Sequence, residues 1–304
     1  GVVIPNPSHF GSLGTTGDPV SMLNNNLLDN SDFMTGAFPS EYGNVLAGVF
    51  DLKMRNGNHE NYEFLGQIGL NGVELGAEGP FKKGGKSSFL VNYGYSTLQF
   101  FHLIGVSFGT QAVPQYQDLS FKINLPTKKY GKFSLFGIGG TSYIELLSDE
   151  IAEDDLFGDN TEDTRFRSNM EVAGINHLFF HNDKIFSKTS FTISSNQNYI
   201  QVDKKLVDPT LNETFKTRTY GNEFVQTKYA LNYSFNKKYS AKDNIQAGII
   251  FNYYVTNFSD STLIEKQFTQ ANPYYLTLRN IDEGNLLTNA YFHWRHKFAD
   301  KFTL

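Results

Sequence analysis

The stretch GPFKKGGKSSF at 79–89 ends in the Gly-Lys-Ser triplet of a phosphate-binding loop. Such a loop needs a glycine five residues ahead of that triplet and a helix behind it, so that backbone N–H groups converge on phosphate. Pro80 holds the glycine position, and the following SSFLVNYGYST sets Phe89, Val91, Tyr93 and Tyr95 against Leu90, Asn92, Gly94 and Ser96. That period of two is a strand, so the lysine-rich stretch is a turn between strands. His177 and His181 have the spacing of a helical zinc pair. On a strand they lie about 13 Å apart, too far for one ion, and His293 and His296 point to opposite faces. The acidic run SDEIAEDDLFGDNTEDTR offers Asp154, Asp155 and Asp159 as weak calcium ligands, but its spacing misses the EF-hand pattern and fits a solvated loop. No catalytic constellation emerges, so no enzyme activity, cofactor or resident metal is expected.

The elements behind these residues are strands. The 304 residues include 28 Phe, 17 Tyr and 27 Gly beside one Trp and no cysteine, a balance that suits twisted antiparallel sheet and predicts an all-β fold. Without cysteine there are neither disulfides nor thiolate metal sites. A formal net charge of -5 gives no basic footprint for nucleic acid. No run is apolar enough for a transmembrane helix, yet a mean hydropathy of -0.37 is also what a membrane β-barrel shows, since it hides its apolar face in alternate positions.

Short cationic turns recur roughly every 45–60 residues, the repeat of a hairpin of long strands. They are the opening stretch, LPTKKYGKF, HNDKIFSK, NKKYSAKDN and FADKF. Between them lie longer, irregular segments, so one end of the molecule carries short turns and the other long loops. The strands alternate. Leu119, Phe121, Ile123 and Leu125 oppose Asp118, Ser120, Lys122 and Asn124, and Tyr229, Leu231, Tyr233 and Phe235 oppose Lys228, Ala230, Asn232 and Ser234. From Ile245 to Val255 the same pattern holds, with Ile250 and Tyr254 as exceptions. A spanning length of about 9–11 residues, a polar inner face and aromatics near strand ends such as Trp294 and Phe298 are what a tilted strand crossing lipid requires. Two regions read less cleanly. The phase shift from Ile68 and Leu70 to Val73, Leu75 and Ala77 around Gly72 suggests a bulge, and FSLFGIGG fits either face. About nine strands are expected, with a tenth starting at Lys301, a count that predicts a barrel continuing past Leu304.

Residues 1–58 differ, with Gly, Pro and Asn punctuating short apolar runs. GVVIPNPSHFGSLGTTGDPVSMLN, followed by DFMTGAFPSEYGNVLAGVFDLKMRNGN, resembles the second half of the plug of TonB-dependent outer-membrane receptors of the Bacteroidetes type. The core of the match is GAFPSEYGN at 36–44, with Phe38, Pro39, Glu41, Tyr42, Gly43 and Asn44, then the small-residue step at Gly48. GVELGAEGPFKKGGKSSFLVNYGYSTLQFF looks like the first barrel hairpin of that family. The match is specific over about residues 1–100, beyond which the pattern suits many large barrels.

The resemblance implies a transmembrane antiparallel β-barrel of 22 strands enclosing a plug. The expected division is 1–58 as the later plug and 59–304 as the first part of the barrel. It implies outer-membrane localisation, active uptake of a scarce ligand such as a siderophore, oligosaccharide or peptide, and coupling to the TonB complex of the inner membrane through a segment expected ahead of Gly1. A surface lipoprotein is a further partner the family suggests. Arg55 and Glu78 would take part in an ionic contact between plug and wall, the alternative being that each faces water. Phe100, Phe101, Phe108, Tyr274 and Tyr275 fall near long loops, as lining of a ligand mouth or as interfacial aromatics. In Tyr42-Gly43 the glycine is expected to permit a tight turn and the phenol to fill space. Two rivals stand beside this reading: a barrel that binds partners without transporting, and a soluble all-β module whose two sheets pack apolar faces together.

Overall fold

A computed structural model describes residues 2–12, 14, 20–45, 47–69, 72–98, 113–149, 161–208, 210–265, 269–299 and 302–303. The protein is all-β. The N-terminal segment contributes a single 3-10 turn at Asn25–Leu27 and a small two-stranded sheet of β1 (Asp32–Met34) and β2 (Val49–Asp51). Everything after it forms one antiparallel sheet in sequence order: β3 (Glu63–Ile68), β4 (Val73–Pro80), β5 (Ser88–Tyr95), β6 (Gln115–Pro126), β7 (Lys132–Leu146), β8 (Glu162–Asn182), β9 (Ile185–Val207), β10 (Thr214–Lys238), β11 (Asp243–Leu263), β12 (Tyr275–Ala299) and the short β13 (Phe302–Thr303). Each strand pairs with its sequence neighbours, the pattern of consecutive hairpins.

The sequence undercounts by one strand, and the reason lies at Gly72. The phase shift there is a chain reversal: Ile68 pairs with Val73, and the Gly69 N–H donates to Gly72 O at 2.8 Å. A bulge and a two-residue hairpin both shift the period of two, and only the pairing tells them apart. Ten strands therefore precede the start of an eleventh at Phe302. The opening lysine-rich stretch is the turn from β4 to β5, with Gly84 in the left-handed region at φ 76°. Short turns alternate with long connections along the sheet, as the sequence suggests, with two exceptions on the long-loop side: the reversal at Gly69–Gly72 and the link 208–213 from β9 to β10, which is shorter than the turn 81–87.

Strand length departs from expectation. Strands β8–β12 run 21–25 residues, about twice a membrane crossing. Within them the apolar alternation fills only the half nearest the short turns. On β11 it covers Ile245, Ala247, Ile249, Phe251, Tyr253 and Val255 before giving way to Asn257 and Ser259, and on β10 Tyr229, Leu231, Tyr233 and Phe235 lie in the same zone. Eleven residues at about 3.3 Å per residue, tilted as barrel strands are, make an apolar band about 25 Å tall.

The polarity of this sheet is the reverse of a water-soluble core. Its apolar face is exposed, including Tyr93, Leu119, Ile175, Phe191, Ile193, Tyr229, Leu231, Phe251 and Tyr253. Its other face is buried and largely polar, with Ser88, Asn92, Ser120, Ser142, Ser168, Thr192, Ser194, Asn198 and Lys228 each less than a tenth exposed. Among the described residues no second sheet covers the apolar face. The polar face is instead covered by the N-terminal segment. One small apolar cluster sits in that contact, where Met22 packs against Ile138, Met170 and Val172 with Ile4, Leu23, Met54 and Phe136 at its margin. This resolves FSLFGIGG: Ile138 faces the N-terminal segment while Gly137 lies on the outer face, where the ring of Phe121 occupies the space a side chain would need. Both faces of that strand are apolar because each meets an apolar neighbour. Aromatic rings cover glycines elsewhere in the same way, Tyr62 over Gly79 and Tyr253 over Gly284, which accounts for the joint abundance of Gly and aromatics.

Candidate functional site

The chemistry of the chain concentrates in the seam between the N-terminal segment and the polar sheet face. Strand alternation points every second side chain of β4–β11 toward the segment, and these positions hold small or hydrogen-bonding residues. At the short-turn end, Arg55 follows β2 and Glu78 lies on β4. Arg55 Nη1 and Nη2 donate to the two Glu78 oxygens at 2.7 and 2.6 Å, a bidentate pair. Arg55 Nε donates to Asn26 O at 2.7 Å, and the Asn58 N–H donates to Glu78 at 2.6 Å. Glu78 is 7% exposed, so the pair is largely withdrawn from water on the carboxylate side. The Arg55 guanidinium is held above its ordinary pKa, first by its hydrogen bond to Glu78, against the opposing pull of burial.

The seam continues along the wall. Asn24 Nδ2 lies within 2.9 Å of both Glu74 Oε2 and Asn92 Oδ1. His9, fully buried, sets Nε2 3.3 Å from Asp118 Oδ2 and tilts against Tyr116 with ring centroids 4.6 Å apart. Beside it, the Phe10 N–H donates to Ser142 Oγ at 3.0 Å, and Gly11 O accepts from Ser168 Oγ at 3.1 Å and Asn198 Nδ2 at 2.6 Å. Two wall lysines donate to segment carbonyls, Lys122 to Met54 O and Lys228 to Val3 O. Gln246 Nε2 reaches Glu41 at 3.0 Å. The eight strands β4–β11 thus grip the segment, mostly through its backbone carbonyls and short polar side chains. Such an interface is closed by many hydrogen bonds and little apolar area.

The sequence-marked residues separate into groups. Arg55 and Glu78 meet. Of the motif residues, Phe38 and Pro39 are half-buried, Glu41 contacts the wall, and the Tyr42 N–H donates to Pro39 O at 3.0 Å in a turn. Burial, together with Asp51 and Glu41, pushes the Tyr42 phenol well above its ordinary pKa. The expectation for Gly43 is corrected: it is exposed, has open space where a Cβ would be, and the left-handed residues of this loop are Ala37 at φ 51° and Asn44 at φ 59°. Asn tolerates that region, so the turn is carried one residue later than read. At Gly48 a Cβ would come 3.1 Å from the Phe33 ring and 3.2 Å from Met34 O, so this small-residue step accommodates the stacked Phe33–Phe50 pair. Tyr274 is an exposed loop residue, and Tyr275 opens β12 with its hydroxyl donating to Arg218 O at 3.1 Å. Phe100, Phe101, Phe108, Asp154, Asp155 and Asp159 lie outside the described residues. His177 Nε2 donates to Tyr130 O at 2.7 Å and its ring stacks on Phe133, while His181 meets Ser187. Among the described residues no group of His, Asp and Glu is arranged to hold a metal.

Sequence reading missed the wall side of the seam. Ser142, Ser168 and Asn198 are unremarkable in isolation, and the signal that marks them is their regular placement opposite outward apolar residues, which turns a polar face into a binding face. It also missed an ion-pair cluster at the long-loop end, on the same sheet face as the apolar band. There Arg165 bridges Glu145 Oε1 at 2.5 Å and Asp203 Oδ2 at 2.6 Å, and buried Asp163 receives Lys216 at 2.5 Å and the Ser148 N–H at 2.8 Å. No protein-family model matches the chain, and the comparison with curated proteins finds no match either.

Proposed function

We propose that this chain is part of a TonB-dependent outer-membrane receptor: a plug segment seated in a transmembrane β-barrel that takes up a scarce ligand. The observation that carries the reading is the inverted sheet, apolar and uncovered on one face, polar and plugged on the other. Lipid accepts the first face, and the continuous antiparallel pairing of consecutive strands is what a hydrocarbon environment demands. In this reading residues 59–304 form the first part of the barrel and residues 1–58 belong to the plug, whose likeness to the receptor family the sequence motif at 36–48 supplies.

The mechanism follows from the seam. Long loops and the upper plug surface capture the ligand, and a plugged lumen passes nothing large by diffusion. Uptake then requires the plug to shift against the wall. A seam of hydrogen bonds to backbone carbonyls, with one bidentate ion pair, suits that task, because water entering the lumen can replace each bond as it opens. An apolar seam of the same area would resist separation. Energy comes from the TonB complex of the inner membrane, and a surface lipoprotein is a further partner in this family. No catalytic group is assigned.

The test is cysteine tethering in cells. Gly11→Cys with Ser168→Cys places a cross-link across the seam, in a native polypeptide followed by membrane fractionation and by growth on scarce nutrients. Recovery in the outer membrane, with function lost when the tether forms and regained on reduction, is the expected result. A protein found outside that membrane, or one indifferent to the tether, overturns the reading.

A further inference from the structure

The short-turn end of the sheet carries a concentration of charge that the transport reading does not use. The turn between β4 and β5 holds Lys82, Lys83 and Lys86, that between β6 and β7 holds Lys128 and Lys129, and Lys238 at the end of β10 and Lys242 flank the turn into β11. All of these are exposed. None forms an ion pair with a carboxylate among the described residues, although Asp183, Asp243, Glu60 and Glu63 lie at the same end. Asp243 is engaged instead by His296, Ser240 and Trp294, and Glu63 by Asn58. At the opposite end the pattern reverses: Arg165, Lys204, Lys205 and Lys216 are each tied to a carboxylate.

Aromatic rings accompany the free lysines. Lys129 lies 5.5 Å from the Tyr130 ring centroid and Lys237 lies 4.2 Å from that of Tyr239, while Phe81, Trp294 and Phe298 are exposed at the same level. Rings at the edge of an apolar band sit at headgroup depth. Flexible cations just beyond them reach phosphate, the anionic group found at that depth in a bilayer.

We infer that the lysine-bearing short turns form a binding rim for anionic phospholipid headgroups of the leaflet on that side. The inference rests on the membrane reading above and adds a lipid preference to it. The rim holds the barrel at a fixed depth and orientation, since the cations at the other end, Arg165, Lys204, Lys205 and Lys216, are already tied to carboxylates. Because the lysines are exposed, the attraction is electrostatic and falls within a Debye length.

The experiment reconstitutes the full native chain into nanodiscs of phosphatidylcholine containing phosphatidylglycerol and measures which spin-labelled lipid is immobilised at the protein. Phosphatidylglycerol is expected to be favoured by about fivefold at low salt, the factor to which about 1 kcal/mol per engaged lysine converts. The preference is expected to fall toward unity at about 1 M salt, where the screening length is about 3 Å. It is likewise expected to fall when Lys83, Lys86, Lys128, Lys129, Lys238 and Lys242 are changed to Gln. The smaller variant Lys128→Gln with Lys129→Gln gives a partial loss and guards against misfolding of the full set. Equal immobilisation of both lipids, or a preference that survives the substitutions, overturns the rim while leaving the membrane reading intact. Failure to insert into either bilayer overturns both.

Discussion

At the scale of residues, the Arg55–Glu78 pair ties the N-terminal segment to the sheet through two charge-assisted hydrogen bonds. Its geometry is bidentate and its carboxylate is buried, so removing one partner strands the other. Arg55→Ala is expected to cost roughly 2–4 kcal/mol, and Arg55→Ala with Glu78→Ala to cost less than the sum of the singles by about 1–3 kcal/mol. Unfolding in detergent, together with protease release of the N-terminal segment, measures both. Asp208 makes a pH-dependent prediction in the long-loop region. Its carboxyl is held below the usual range by the Gln270 N–H at 2.7 Å, then by those of Thr210 and Leu211, so the ionised form secures two connections together. A lowered carboxyl pKa contributes stability that is present above the ordinary value of about 3.9 and is lost as pH falls through the folded value. Hydrogen exchange at Gln270 and Leu211 should stay slow from neutral pH down to about 4 and accelerate below it. Unchanged protection at lower pH would show that the carboxylate does not hold these loops.

At the scale of elements, each long strand divides into an apolar half and a polar half, and the two halves answer differently to substitution. Leu231 and Tyr233 on β10 lie in the exposed apolar band, flanked on β9 by Phe191 and Thr189 and on β11 by Phe251 and Ile249. If lipid covers that face, Leu231→Lys costs about 2–4 kcal/mol near the bilayer midplane. A solvent-exposed position would tolerate the same change within about 0.5 kcal/mol. Folding titrations into vesicles separate these outcomes, with Asn257→Lys on the polar half of β11 as a control expected to be nearly neutral. The polar halves of β8–β10 are stiffened by cross-strand charges, with Arg165 linking β7, β8 and β9 in one row.

At the scale of the whole molecule, among the described residues β12 pairs with β11 from Tyr275 to His296 but meets only the two residues of β13 on its other side, and β3 has a single partner, β4. Unpaired strand edges are untenable within lipid, so a sheet of this kind enters a membrane only when both edges are paired. The intact mass of the native polypeptide after detergent extraction from outer membranes distinguishes the ways of doing so. On the receptor reading proposed above, a mass well above 34.3 kDa is expected, with strands of the same polypeptide pairing both edges of the sheet. A mass near 34.3 kDa would mean closure by copies or partners, and the receptor reading would fall.

The sequence by itself determined the all-β class, the hairpin repeat, the asymmetry of turns and loops, and the outward set on β5, β6, β10 and β11. Those features are local: a period of two and a lysine-rich turn are written in adjacent residues. It could not decide between bulge and hairpin at Gly72, because both displace the same alternation, nor the true strand lengths, because the polar halves alternate polar with polar and carry no hydropathy signal. The seam was beyond it for a different reason. His9 with Asp118, Gly11 with Ser168 and Asn198, and Val3 with Lys228 are contacts between residues more than a hundred positions apart. Only the folded sheet, by turning its polar face toward the N-terminal segment, makes those ordinary serines, asparagines and lysines into a single surface.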